Sequence, residues 1–167
     1  MNLHLLLEVL QQGQMVPLIK NGHDFIGHKQ IGPHKVNVKL TFVNSNVIYV
    51  LFDVDDNLEL DGKKSLGIAL QTFDYVINCI YTVNQQFANM EYYFGADAEH
   101  EAIYDKLLPR FASRYHFTFQ KEPFNMTKKE KFNQAINPLF NKKHHVMTAV
   151  YYIQPKKNVE NETQTTT

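Results

Sequence analysis

Apolar residues along this chain change their spacing several times, and each change marks an element. Val36-Asn-Val-Lys-Leu-Thr-Phe-Val43 alternates apolar and polar positions, the pattern of a half-buried strand. Val47 to Val54 is almost continuously apolar, which predicts a strand covered on both faces in the middle of a sheet. Asn44-Ser45-Asn46 supplies the hairpin turn between them. From Ser65 to Val83 the spacing becomes helical, with Leu66, Ala69, Leu70, Phe73, Ile77 and Ile80 on one face and Ser65 as the N-cap. A short strand, Met90 to Phe94, comes next, followed by Gly95-Ala96-Asp97 as a turn whose aspartate caps a further helix. That helix carries Ile103, Leu107, Phe111 and Tyr115 on one face, and Pro109 inside it is expected to kink or divide it. Strands near Phe117–Gln120 and Val146–Ile153, with a helical stretch at 128–140 between them, complete the pattern.

The order is therefore antiparallel hairpin, crossover helix, strand, helix, strand. A helical crossover joins parallel strands, so the expected fold is α/β (α+β) with a mixed, mainly antiparallel central sheet and one parallel pair at its centre. The run Leu3 to Leu10 is too short to span a bilayer, lacks a basic leader and reads as a helix docked on the domain. Residues 21–35 hold three glycines, one proline and three histidines, which reads as loop or irregular hairpin. The expected organisation is a single domain over 1–155, with an N-terminal helix and loop in 1–35, a core in 36–155 and a flexible polar tail in 156–167.

Composition narrows the function classes. Lys+Arg and Asp+Glu both number 17, and a neutral chain of this kind lacks the basic excess of a general nucleic-acid binder. The one cysteine, Cys79, falls inside an apolar helical pattern and fits a reducing, cytoplasmic compartment. No stretch predicts membrane association.

The stretch with the most chemistry is Asp61-Gly-Lys-Lys-Ser-Leu-Gly-Ile-Ala69, which follows a strand and opens a helix. Backbone N–H groups at a helix start lack internal partners, and the helix dipole adds partial positive charge, so such a junction can hold a diphosphate. Its residues and the order of elements around it resemble the GNAT (N-acetyltransferase) superfamily. That family's coenzyme A signature is Gln/Arg-x-x-Gly-x-Gly/Ala, and Lys64-Ser-Leu-Gly67-Ile-Ala69 has its spacing with Lys in the first place. The helix Ala102-Ile-Tyr104-Asp-Lys-Leu-Leu108 is similar to the family's Ala-x-x-x-Tyr-Glu-Lys-Leu-Gly-Phe, with Leu108 where the family turns on Gly. The resemblance covers about residues 36–120. It implies a GNAT-like fold that binds acetyl-CoA or another acyl-CoA through Lys63, Lys64, Ser65, Gly67 and Ala69, with no metal. It also implies Tyr104 as the acid that protonates the leaving thiolate, with Asp53 or Asp55 as the base for the acceptor amine. The chain also resembles small phage-encoded proteins with a comparable helix, strand, helix layout.

Two functional expectations follow from the resemblance. One is an acyl-CoA-dependent N-acyltransferase acting on a small-molecule amine or a protein. The other is a non-catalytic relative, phage-encoded, that keeps the scaffold for protein–protein contacts. Other motifs carry less. Phe52-Asp53-Val-Asp55-Asp-Asn57 looks like the first motif of haloacid-dehalogenase-type phosphatases, but Asn57 replaces Thr and no downstream acidic pair completes a metal site. Asn57-x-Glu59-x-Asp61-Gly62 imitates half an EF-hand loop, yet Ile68 stands where a bidentate acid is needed. The histidines lack a zinc-ligand spacing and read as surface residues. Phe124, Phe132 and Phe140 lie among lysines, but Phe132, Ile136 and Phe140 recur at helical spacing, which favours a packed helix over single-stranded nucleic acid.

Overall fold

The computed structural model describes residues 15–54, 66–124 and 147–155. Seven strands form one mixed sheet: β1 (Ile19–Asn21), β2 (Asp24–Ile31), β3 (His34–Phe42), β4 (Val47–Val54), β5 (Glu91–Asp97), β6 (Phe117–Pro123) and β7 (Met147–Pro155). Their order is β1-β2-β3-β4-β5-β7-β6. Among the described residues two helices cross over it, α1 (Leu66–Gln86) between β4 and β5, and α2 (Ala98–Tyr115) between β5 and β6. The expected α+β class, the mixed sheet and the central parallel pair are all present, since β4 and β5 run parallel and every other neighbouring pair is antiparallel.

Alternation along the strands sorts side chains onto two faces. Val36, Val38 and Leu40 of β3, Ile48, Val50 and Val54 of β4, and Tyr92, Phe94 and Ala96 of β5 join the main core with the helices. Tyr49, Tyr93 and Val150 form a smaller cluster with Val47, Leu51, Phe124 and Tyr152 as neighbours. β4 therefore contributes to both clusters, in line with its near-continuous apolar sequence.

The segment read as loop or irregular hairpin, 21–35, is mostly strand, folded as two tight antiparallel hairpins. β2 pairs with β3 over its whole length, from Asp24↔Thr41 to Ile31↔His34. Only Phe25, Gly27 and Ile31 of β2 are buried, so its sequence looks polar although its backbone is fully laddered. The tight turn at Gly32-Pro33 explains the glycine: Gly32 has φ +57°, which a side chain at that position would disfavour. Gly27 answers a different need, because a Cβ there would lie 2.4 Å from the Tyr75 hydroxyl oxygen of α1.

Two further expectations change. Gly95-Ala96-Asp97 is the end of β5 rather than a turn, because antiparallel pairing with β7 carries the strand on to Asp97↔Met147. Pro109 does not divide α2, which runs from Ala98 to Tyr115; Pro109 and Asp105, the residue whose carbonyl loses its helical partner, are both exposed to water. At the end of α2, His116 adopts φ 57° and its carbonyl accepts a hydrogen bond from the Tyr81 hydroxyl at 3.1 Å.

The helix α1 is buried around its whole circumference from Thr72 to Ile80, more than the one apolar face of its sequence implies. Its polar residues are drawn into internal bonds. Thr82 donates to the Asn78 carbonyl at 2.8 Å and accepts from the Val16 amide at 3.0 Å, fastening the chain ahead of β1 to the helix. The helices expected near Leu3–Leu10 and 128–140, and the tail, lie outside the described residues.

Candidate functional site

β4 and β5 pair over three positions only, Val47↔Glu91, Ile48↔Tyr92 and Tyr49↔Tyr93. Both strands continue beyond, to Val54 and Asp97, with no registered pairing between them among the described residues. β4 stays bonded to β3 as far as Val54, and β5 to β7 as far as Asp97, so the sheet forks between two intact halves. Tyr49 and Tyr93 sit at the fork, edge to face with ring centroids 5.1 Å apart. Burial pushes both phenols up, Tyr49 well above its ordinary value and Tyr93 to about 12, so both stay protonated across the neutral range.

On the helix side of the fork the side chains are aromatic. Phe52 of β4 lies 6.1 Å from Phe94 of β5 and 6.4 Å from Tyr104 of α2, measured between ring centroids. Tyr104 also meets Phe73 at 5.1 Å, Phe94 at 5.2 Å and Tyr151 at 5.6 Å, and is only 4% exposed. His100, one helical turn earlier, is buried and its ring stands 5.9 Å from that of Tyr104. The histidines read as surface residues from their lack of ligand spacing, but among the described ones His100 is buried, four and seven residues ahead of Tyr104 and Leu107 on the inward stripe of α2.

Asp53 lies on the opposite face. It is half-buried, and its Oδ1 accepts a hydrogen bond from Asn37 Nδ2 at 2.7 Å. Asn37 Oδ1 is in turn 2.6 Å from His28 Nδ1. Asp53 and Tyr104 thus flank the fork from different sides of the sheet, rather than converging on one face. Asn37 and His28 carry no local sequence signal for a site, because only cross-strand register brings β2, β3 and β4 into one row.

Of the residues assigned to coenzyme binding, Gly67 and Ala69 lie in the first turn of α1, Gly67 half-buried and Ala69 buried. Lys63, Lys64, Ser65 and the second carboxylate, Asp55, lie outside the described residues. Among the described residues no group of three or more His, Cys, Asp or Glu side chains is arranged to hold a metal ion, and no helix is long and apolar enough to cross a membrane. Cys79 is buried, and desolvation pushes its thiol up to about 12, which leaves it almost wholly unionised and a poor nucleophile at neutral pH.

A second polar cluster lies where α2 meets β6 and β7. Lys121 of β6 bridges Glu101 at 2.7 Å and Asp105 at 2.9 Å, and its contacts hold both carboxyls below their usual range. Thr148 donates to Glu101 at 2.6 Å and Tyr151 to Asp105 at 2.7 Å, so the cluster ties α2 to β6 and β7 and reads as an anchor.

No protein-family model, curated protein or solved structure matches this chain.

Proposed function

We propose that this chain is a GNAT-like protein that binds an acyl-coenzyme A in the fork between β4 and β5 and transfers the acyl group to an amine. The observation that carries the proposal is the early end of the parallel pairing, after Tyr49↔Tyr93. Strands that part while still extended leave backbone N–H and C=O groups facing the gap, and an extended ligand with amides can pair with them as an added strand would. The pantetheine arm of coenzyme A is such a ligand. The start of α1, at Gly67 and Ala69, follows β4 in the chain, and its N–H groups and dipole suit the diphosphate; Lys63, Lys64 and Ser65, just ahead of it in sequence, are the residues that the resemblance assigns to the same group.

The chemistry requires an uncharged amine, because an ammonium has no lone pair. Asp53 takes the ammonium proton, directly or through water; the nitrogen then bonds to the thioester carbonyl carbon and the carbon–sulfur bond breaks. Tyr104 gives its proton to the departing thiolate, the second proton that the nitrogen sheds on becoming an amide passes to solvent, and solvent returns a proton to Tyr104. Acid and base on opposite sides of the sheet suit this sequence, since attack comes from the Asp53 side and departure is toward Tyr104.

A second reading, a non-catalytic scaffold used for protein contacts, is favoured by one specific observation. Phe52, Phe94 and Tyr104 gather closely on the helix side of the fork, and a sealed Tyr104 cannot reach a thiolate. Incubation with acetyl-coenzyme A and a panel of primary amines, following free thiol, separates the two. Amine-dependent thiol release that falls at least tenfold in Tyr104→Phe supports transfer. Absence of release, with no change in melting temperature at millimolar acetyl-coenzyme A, supports the scaffold.

A further inference from the structure

The face of the sheet opposite the helices carries a hydrogen-bonded row with a single allowed polarity. Register sets His28 of β2 against Asn37 of β3, and Asn37 against Asp53 of β4. An ionised carboxylate only accepts hydrogen bonds, so the Asn37 amide turns its Nδ2 toward Asp53, at 2.7 Å. Its Oδ1 is then committed to the other side, 2.6 Å from His28 Nδ1. An amide oxygen also only accepts, so Nδ1 of His28 carries the hydrogen and donates it. Reversing the amide would set Oδ1 against the carboxylate, and reversing the imidazole tautomer would set two lone pairs together.

We propose that Asn37 and His28 are positioning residues for Asp53, with Asn37 holding the carboxylate and His28 locking the amide that holds it; this rests on the transfer reading, in which Asp53 accepts the proton of the amine. Side chains on extended strands at the half-exposed edge of a site rotate readily, and a base that wanders by an ångström loses much of its rate. A row bonded strand to strand removes that freedom. On the same face Lys39 of β3 lies 3.5 Å from Asp24, which also accepts from Thr41 at 2.8 Å. The hydrogen bond from Asn37 of β3 to Asp53 thus comes from a neutral amide.

The test has a spectroscopic arm and a kinetic arm, both on the full chain. In nitrogen-detected NMR at a pH where His28 is neutral, the wild-type ring shows hydrogen on Nδ1, and Asn37→Ala returns it to the Nε2–H form that free imidazoles favour. A wild-type ring with hydrogen on Nε2, or one unchanged in Asn37→Ala, overturns the row whether or not the protein has activity. With acetyl-coenzyme A and the best acceptor of the amine panel, His28→Phe lowers kcat about tenfold and leaves KM for acetyl-coenzyme A unchanged. His28→Asn, which sets an amide nitrogen where Nδ1 stands, restores kcat to within about twofold of wild type. His28 is exposed, so both of its variants should fold. Equal kcat in wild type, His28→Phe and His28→Asn overturns the positioning role. A wild-type chain that binds acetyl-coenzyme A without turnover overturns the transfer reading and the positioning role together, and the tautomer alone then decides whether the row exists.

Discussion

Tyr115, the last residue of α2, donates its hydroxyl to the carboxylate of Asp74 in the middle of α1. The two residues are 41 positions apart and tie the end of one helix to the body of the other. Asn78, one turn further along α1, approaches the second carboxylate oxygen at 3.5 Å. Burial pushes Asp74 up to about 6, with Lys29 and Arg114 pulling the other way and failing to cancel it.

A raised carboxyl gives an unusual pH dependence. Between the ordinary value of 3.8 and about 6 the folded protein binds a proton at Asp74 that the unfolded chain does not, so this group adds stability as pH falls through that window. Above it the buried charge opposes folding. Asp74→Asn keeps an acceptor for Tyr115 and removes the charge. Relative to wild type it should be more stable at pH 8, by about 1–3 kcal/mol, and the difference should shrink steadily toward pH 4.5. Thermal melts of the two proteins over that range check it; a gap that is constant or widens in acid contradicts the assignment.

Gly27 and Tyr75 form a second pair whose fit can be probed. A methyl at position 27 meets the Tyr75 hydroxyl oxygen at 2.4 Å and Leu18 Cδ2 at 2.9 Å, while the Tyr75 ring is buried and cannot swing away freely. Gly27→Ala should cost about 1–3 kcal/mol. Adding Tyr75→Phe removes the nearer obstacle and should recover part of that loss. Urea titration of the two single variants and the double variant measures the coupling, and strictly additive effects would show that the two residues do not press on each other.

Phe73 is the hub of the aromatic core beneath the fork. Its ring lies within 5.1 to 6.3 Å of Tyr104, Phe52, Phe111 and Phe94. Phe73→Ala should cost about 3–5 kcal/mol, a large fraction of a domain's total stability. Val43→Ala, at an exposed position, should change it by less than about 0.5 kcal/mol. Similar losses in the two variants, read from denaturant midpoints, would mean that the cluster is not the centre of the fold.

The parts of the fold that sequence made legible are those where burial writes a period into the chain. Val47–Val54 has the predicted bounds because both of its faces are covered, and the helical spacing from Leu66 to Ile80 locates α1 to within a few residues. β2 was hidden because it buries only Phe25, Gly27 and Ile31, and one of these is a glycine chosen for the Tyr75 hydroxyl rather than for hydrophobicity. The end of β5 was hidden because pairing with β7, distant in sequence, sustains Gly95-Ala96-Asp97 as strand. For the site, Asp53 and Tyr104 were legible as residue types after a strand and on a helix, but their placement on opposite faces was not. Asn37 and His28 could have been found by writing β2, β3 and β4 in register and looking for polar residues in one row.

The central claim is that the fork between β4 and β5 receives an acyl-coenzyme A. Backbone hydrogen exchange, read residue by residue with and without millimolar acetyl-coenzyme A, tests it at the atoms concerned. Alternate amides of Val50–Val54 and Phe94–Asp97, those turned toward the gap, should exchange at least tenfold more slowly with the ligand, as should those at the start of α1. Unchanged exchange in all three segments, or protection confined to other parts of the sheet, would contradict the account.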